Sequence, residues 1–315
     1  MATIPNIGRC RNRVGVTFLS VFGGNMGYRG IPTARKRLLG SQLRRLREQR
    51  KLSVEAVGEQ LGVGPSSVRR QESGHTAISV ADAKAYLDIY ELEDQELRRK
   101  LLELARYSRV RGWWAAYGKT VGPTAVDVAD MEDLATEIRT FQPLLVPGIM
   151  QTQAYSEAMA NLGAGIEDRG WDLEKVVAVR ERRKAILDRE KPLHVWAIIG
   201  EAALLTAVGG PEVMAEQIGH LLLLGQRSNI SLQLLPFAAG AHLGMSGAFV
   251  LLDFADADTT DGSIMYVEGG GAFSDDPGRV RSAISRFSNL QAQALSTGDT
   301  QRYFAQTAKE WRDRT

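Results

Sequence analysis

Between Leu39 and Gly74 the apolar positions fall into three short helical repeats separated by turn residues, and the chain is read outward from them. Leu43 and Leu46 share one face of a helix predicted at about 40–50, with Arg44, Arg45, Arg47 and Arg50 on the others. Ser53 is placed to N-cap a second helix at about 54–61, where Val57 and Leu61 form an inward i, i+4 pair. Gly58 lies inside that helix at a cost of up to ~1 kcal/mol relative to Ala, which predicts a crossing helix too close for a larger side chain. Gly62-Val63-Gly64 reads as the turn, Pro65 suits the first position of a third helix, and Gly74 closes it. A fourth helix opens at Ser79, which forms a near capping box with Asp82, and turns Val80, Ala83, Leu87 and Tyr90 inward. A fifth, at about 93–108, does the same with Leu97, Leu101, Leu104 and the pair Tyr107/Val110.

The pattern then changes. Gly112-Trp113-Trp114 and the Gly-, Pro- and Thr-containing stretch 118–124 predict a boundary near 110–125, with the tryptophans in core or interface packing. Helices are expected at about 127–139, 147–162 and 172–189, the last with the basic run 180–184 on a solvated face. Leu193 to Ile199 and Ile230 to Leu235 read as strands joined through helices at about 201–208 and 211–226, which implies parallel neighbours. A hairpin over 248–254 and 263–268 spans a polar loop, Gly269-Gly270-Gly271 reads as a loop, and helices at about 276–295 and 299–312 follow. The expected fold is an all-α helix-turn-helix amino-terminal domain of five helices plus a mixed α/β carboxy-terminal domain with a small mixed sheet. The expected division is 1–38, a flexible basic arm; 39–110, the helical domain; and 111–315, the α/β domain.

Charge sharpens this division. The chain of 315 residues has a formal net charge of +2, yet residues 1–51 hold twelve Lys or Arg against one acid, Glu48. That leaves a net −9 on the other 264 residues, so a polyanion partner is implied for the amino-terminal end alone. The single cysteine, Cys10, excludes an intrachain disulfide and a Cys-based zinc site, and His75, His194, His220 and His242 lack metal-ligand spacing. No metal or cofactor is expected, and a reducing cytoplasm fits. Arg9, Arg11 and Arg13 before the apolar run Val14 to Phe22 imitate a signal peptide weakly; a start at Met26, or a disordered tail, is the simpler reading. No apolar run reaches the roughly 18 residues of a membrane helix.

On a helical wheel, Val68 and Glu72 of the third helix face the first two helices, while Ser66, Arg69, Arg70 and Ser73 face away. A buried Glu72 requires a charged partner, and Arg47 on the inner edge of the first helix supplies it. The outer face suits a major groove: Arg can bond guanine bidentately, and serine allows close approach. Arg44, Arg45 and the arm residues Arg35, Lys36 and Arg37 are expected on phosphates, which position without reading sequence. The expected partner is double-stranded DNA, read by a homodimer.

The motifs L-G-x-x-L-R-x-L-R-E (39–48), L-S-x-E-x-V-x-E-x-L-G-V (52–63) and S-S-V-R-R-x-E-x-G (66–74) resemble the DNA-binding domain of xenobiotic-response-element-type regulators, related to phage repressors. The resemblance implies an ion pair at Arg47–Glu72 and base contacts at Pro65, Ser66 and Arg70. Two positions depart from it: Val54 replaces a polar contact residue, and Gln71 stands where an apolar or aromatic residue is usual. Farther on, F-Q-P-L-L-V-P-G-I-M-Q-T-x-A-Y (141–155), with related segments at 201–221, 234–242, 266–268 and 286–295, resembles antitoxin-like regulators abundant in filamentous soil bacteria. They join the same DNA-binding domain to a large domain of unknown function. That resemblance implies transcriptional control near a small acidic partner protein.

Trp114, Glu201, His220, Tyr266 and Glu268 are the candidate lining of a ligand pocket in the second domain. Glu201, His220 and Tyr266 could also be read as acid–base groups, but no nucleophile–base spacing or metal set accompanies them, and no enzymatic activity is expected. The domain is expected to bind a small ligand or small partner protein. The alternative is an antitoxin-like protein in which it serves dimerisation alone.

Overall fold

The computed structural model describes residues 34–107, 113–117, 123–164, 172–254, 263–268 and 272–314. The expectations for residues 1–33 and Val110, the linker around 118–122, the loop 255–262 and Gly269 to Gly271 lie outside them.

Five helices form the amino-terminal part: α1 (Ala34–Gln49), α2 (Val54–Leu61), α3 (Pro65–Glu72), α4 (Val80–Ile89) and α5 (Gln95–Tyr107). The expected signals operate locally. Ser53 Oγ accepts from Ala56 N at 3.1 Å to cap α2, Pro65 begins α3, and Ser79 and Asp82 complete a capping box on α4. Gly62 and Gly74 take left-handed conformations (φ 68° and 76°) that suit glycine at these helix ends. Leu39, Leu43, Val57, Val68, Ala83, Tyr86, Leu87 and Leu101 form the core.

Several expectations are corrected here. The arm does not run to residue 38: α1 starts at Ala34, so Arg35, Lys36 and Arg37 are helical. Val80 and Tyr107 are exposed, Val80 because it opens α4 at the surface, whereas Tyr86 is fully buried. Gly58 is not spaced for a crossing helix. A Cβ there would lie 2.7 Å from Val63 O, the carbonyl of the turn that follows α2. The close crossing is at Gly40, where a Cβ would meet Glu72 O at 2.4 Å, so α1 and α3 pack backbone to backbone.

The carboxy-terminal part is a six-stranded mixed sheet with helices on both faces. After α6 (Pro123–Leu134) come β1 (Glu137–Gln142), α7 (Gln153–Ala164), α8 (Leu173–Arg183), β2 (His194–Gly200), α9 (Ala202–Leu205), α10 (Pro211–Leu224) and β3 (Ile230–Leu235). Next are β4 (Phe249–Asp253), β5 (Ile264–Val267), β6 (Ala272–Ser274), α11 (Pro277–Gln293) and α12 (Thr297–Arg312). The strand order is β3-β2-β1-β4-β5-β6, parallel for β3, β2 and β1 and antiparallel beyond.

The parallel β2–β3 pair and the β4–β5 hairpin match the sequence reading. Strand β1 does not: the helix expected over 127–139 ends at Leu134, and a central strand follows. Its polar residues obscured the pattern, and three of them are satisfied across the sheet. Arg139 forks onto Asp253 at 2.8 and 3.0 Å, Thr140 Oγ1 donates to Phe249 O at 3.1 Å, and Gln142 Nε2 donates to Glu268 at 2.8 Å. The helix expected at 147–162 is broken into a short 3-10 turn and α7, and that at 172–189 ends as a 3-10 turn after Arg183.

The pleat sorts the two faces. Phe141, Ile198, Phe249, Leu251 and Met265 point to α11, while Ile138, Val195, Ile199, Leu252 and Tyr266 point to the core shared with α10 and α12. Leu38 of α1 also packs into this second core, so the first helix reaches both parts of the chain. Among the described residues no helix is long and apolar enough to cross a membrane.

Candidate functional site

Helix α3 presents Ser66, Arg69, Arg70 and Ser73 to solvent and buries Val68 and Glu72. Arg47 reaches across from α1 and binds Glu72 in a fork, Nε to Oε1 at 2.7 Å and Nη2 to Oε2 at 3.0 Å. Its remaining nitrogen donates to Leu52 O at 2.9 Å and fixes the α1–α2 loop. The Glu72 carboxylate strengthens Arg47's hold on its proton against the opposing effect of burial. The pair thus ties the end of α3 to α1.

On the exposed face, Arg69 is held by Glu55 at 2.7 Å, and among the described residues the Arg70 guanidinium bonds only to Ser67 Oγ, at 3.3 Å. Ser73 Oγ meets His75 Nδ1 at 2.9 Å. Pro65 is half-buried at the helix start. Gln71 is anchored inward, where its Oε1 accepts the hydroxyl proton of buried Tyr86 at 2.6 Å, so a polar residue suits this position better than an apolar one.

The basic residues of α1 diverge. Arg44 is exposed and pairs with Glu48 at 2.9 Å, while Arg45 is half-buried. Arg35 is not presented to phosphates here: it lies 3.6 Å from both Asp130 and Asp133 of α6. Arg37 sits over the Phe273 ring of β6, 5.6 Å from its centroid. The acidic face of α6 thus occupies Arg35, one of the charges that the sequence assigned to the DNA backbone. Arg37, Arg44, Arg69, Ser73 and His75 line a cleft closed on its far side by Phe273 and Asp275.

The second feature is a cavity of about 410 Å³ on the sheet face opposite α11. Ile138, Val250, Leu252 and Tyr266 of the sheet line it, with Val176, Val179, Arg180 and Arg183 of α8 opposite. Arg183 forks onto Glu132 at 2.7 and 2.8 Å. Burial pushes the Glu268 carboxyl above its usual range, although its bond from Gln142 opposes this, and burial also pushes the Tyr266 hydroxyl up to about 12.

Of the five candidate pocket residues, Tyr266 and Glu268 line the cavity and three do not. Glu201 braces other elements, accepting from Phe237 N at 2.6 Å and Tyr303 Oη at 2.7 Å. His220 is half-buried on α10, and Trp114 is buried edge-on to Trp113 at 5.6 Å. Arg180 and Arg183 were missed because the run 180–184 reads as a solvated face. That reading is corrected: Val176, Val179, Arg180 and Arg183 recur at helical spacing, so two arginines share the inward face with two valines.

Helix α6 stands between the two features. Ala125, Val128 and Glu132 line the cavity, and on the opposite side Asp130 and Asp133 hold Arg35. Phe273 repeats this arrangement, stacked on Tyr266 at 4.7 Å at the cavity wall and lying beneath Arg37.

Residues 125–306 match the family model described as a domain of unknown function (DUF5753). The chain belongs to that family. Its DUF5753 region contains the whole sheet and every cavity residue named above, and residues 38–101 match a helix-turn-helix domain model. A helix-turn-helix domain suggests a DNA-binding regulator. Comparison with curated proteins gave no match, and comparison with solved structures gave none.

Proposed function

We propose that the chain is a sequence-specific transcriptional regulator of the xenobiotic-response-element type whose DUF5753 domain binds a small molecule and thereby changes its grip on DNA. The observation that carries this reading is the double-sided α6, one face on the cavity and the other on Arg35. A ligand that fits the cavity only when α6 shifts would favour the state in which Arg35 and Arg37 are released to phosphates. In the unliganded state the acidic helix competes with DNA for those charges.

We read the cavity as a binding site without chemistry. Its described walls hold no Ser, Cys or His, and its one hydroxyl besides Tyr266, on Thr140, is committed to Phe249 O. Pairing of two copies belongs to the same proposal, since a half-site reader gains specificity from a partner at one helical turn. The runner-up is an antitoxin-like role in which a small acidic protein enters the basic cleft beside Arg44 and Arg69 and displaces DNA, with the second domain serving dimerisation.

Selection of full-length protein on randomised duplex DNA tests the first half, and enrichment of one sequence is expected. Native mass spectrometry of the purified protein tests the second, with a small-molecule adduct expected. No enriched sequence would contradict regulation; an adduct of protein size in place of a small molecule would favour the runner-up.

A further inference from the structure

The cavity wall holds two carboxylates, Glu132 and Glu268, and two guanidiniums, Arg180 and Arg183, but only one ion pair forms among them. Glu132 and Arg183 neutralise one another in a fork at 2.7 and 2.8 Å. Glu268 is engaged by Gln142. Arg180 remains. It makes one long hydrogen bond, 3.4 Å to Gln151 Oε1, and among the described residues no carboxylate pairs with it. Burial and the like charge of Arg183 both weaken its hold on the proton. A guanidinium does not relieve such a position by losing its proton, and a cation taken out of water without a counter-charge is costly. The remaining lining is mostly aliphatic, including Val176 and Val179 on the same helix face and Ile149 and Met159 nearby.

We propose that this cavity binds a molecule with an apolar body and a single carboxylate, the carboxylate seated on Arg180. The planar fork of an arginine matches a carboxylate in two parallel hydrogen bonds, and the Arg183–Glu132 pair fixes the adjoining wall. The volume of about 410 Å³ lies in the range of about 300–1,000 Å³ usual for small-molecule sites. The assignment rests on reading the cavity as a ligand site and adds the ligand's charge and the residue that selects it.

Decanoate and 1-decanol, matched in their apolar bodies, serve as probes in calorimetric titration of the full chain. Decanoate is expected to bind about tenfold or more tightly than decanol, the factor carried by a charge-assisted hydrogen bond. Arg180→Gln should abolish that preference while decanol still binds, and Arg180→Lys should restore part of it. Without probe, Arg180→Gln should melt no lower than wild type, because it removes a charge that lacks a partner; a purely structural arginine would give a lower melting temperature. Equal binding of the two probes, or an unchanged preference in Arg180→Gln, overturns the carboxylate assignment and leaves the cavity as a ligand site. Binding of neither probe to wild type overturns the assignment and counts against the ligand-site reading as well. Tight decanoate binding that leaves DNA affinity unchanged sinks the coupling to DNA and not the assignment.

Discussion

Helix α3 carries its exposed polar face, the proposed DNA contact, within the eight residues Pro65–Glu72 and the adjoining Ser73, whereas the cavity draws its wall from Ala125 to Phe273. In the first, periodicity, caps and turn glycines act over a few residues, and one wheel separates the buried Val68 and Glu72 from the outward Arg69 and Arg70. In the second, function depends on which distant segments the sheet brings together. A reading helix can therefore be altered residue by residue, while the cavity responds as a unit with α6 and β1.

The heaviest loss is expected at the scaffold of the reading helix. Glu72→Ala leaves Arg47 buried without its carboxylate, a loss of about 3–5 kcal/mol expected in the helical domain. Calorimetry should show a low-temperature transition that falls while the transition of the sheet domain stays in place. If both fall together, the two regions are one cooperative unit and the contrast is broken.

Arg70→Ala should cost about 1–3 kcal/mol at one base position and change the preferred site, since Arg70 makes only a weak contact within the protein. Arg44→Ala should weaken all sites alike. Binding selection on randomised DNA separates the two, and an unchanged preference in Arg70→Ala would remove Arg70 from the reading face. Gln71→Leu, although closer to the residue usual in related domains, should destabilise by about 1–3 kcal/mol because it removes the acceptor of the buried Tyr86 hydroxyl. Urea denaturation would reveal it, and Tyr86→Phe in the same background should recover much of the loss.

The caps at Ser53 and Ser79, the Arg47–Glu72 pair and the outward serines and arginines of α3 were legible because each rests on residues close in sequence or on one demanding interaction. Strand β1 was not. Glu137, Arg139, Thr140 and Gln142 make it read as polar, and partners more than a hundred residues away, Asp253, Phe249 and Glu268, render the last three acceptable in a central strand. The inward arginines of α8 were hidden for the same reason. Arg183 is tolerable inside because Glu132 of α6 meets it, and a basic run gives no sign of that partner. Arg35 and Arg37 were assigned to phosphates from charge alone, which could not reveal the acidic face of α6.

An effect read through pH probes that same helix. Burial raises the Asp127 carboxyl to about 7, above its ordinary value near 4, against the pull of Arg37. Between those values the folded state binds a proton that the unfolded state has lost, so this group's contribution to stability falls as pH rises from about 4 to about 7. Asp127→Asn should remove that slope, leaving the variant relatively more stable than wild type at pH 8 and closest to it near pH 4. Melting temperatures across this range give the comparison, and parallel profiles would show that Asp127 does not titrate there.

The proposed regulation stands or falls on whether α6 withholds part of the basic surface of α1 from DNA. The affinity of the double variant Asp130→Asn/Asp133→Asn for a selected duplex, taken at several salt concentrations, reads this out with nothing in between. Freed from its two carboxylates, Arg35 should reach a phosphate, giving tighter binding and a salt slope steeper by about 0.9, the increment for one additional phosphate contact. Unchanged affinity with an unchanged slope would show that α6 withholds nothing.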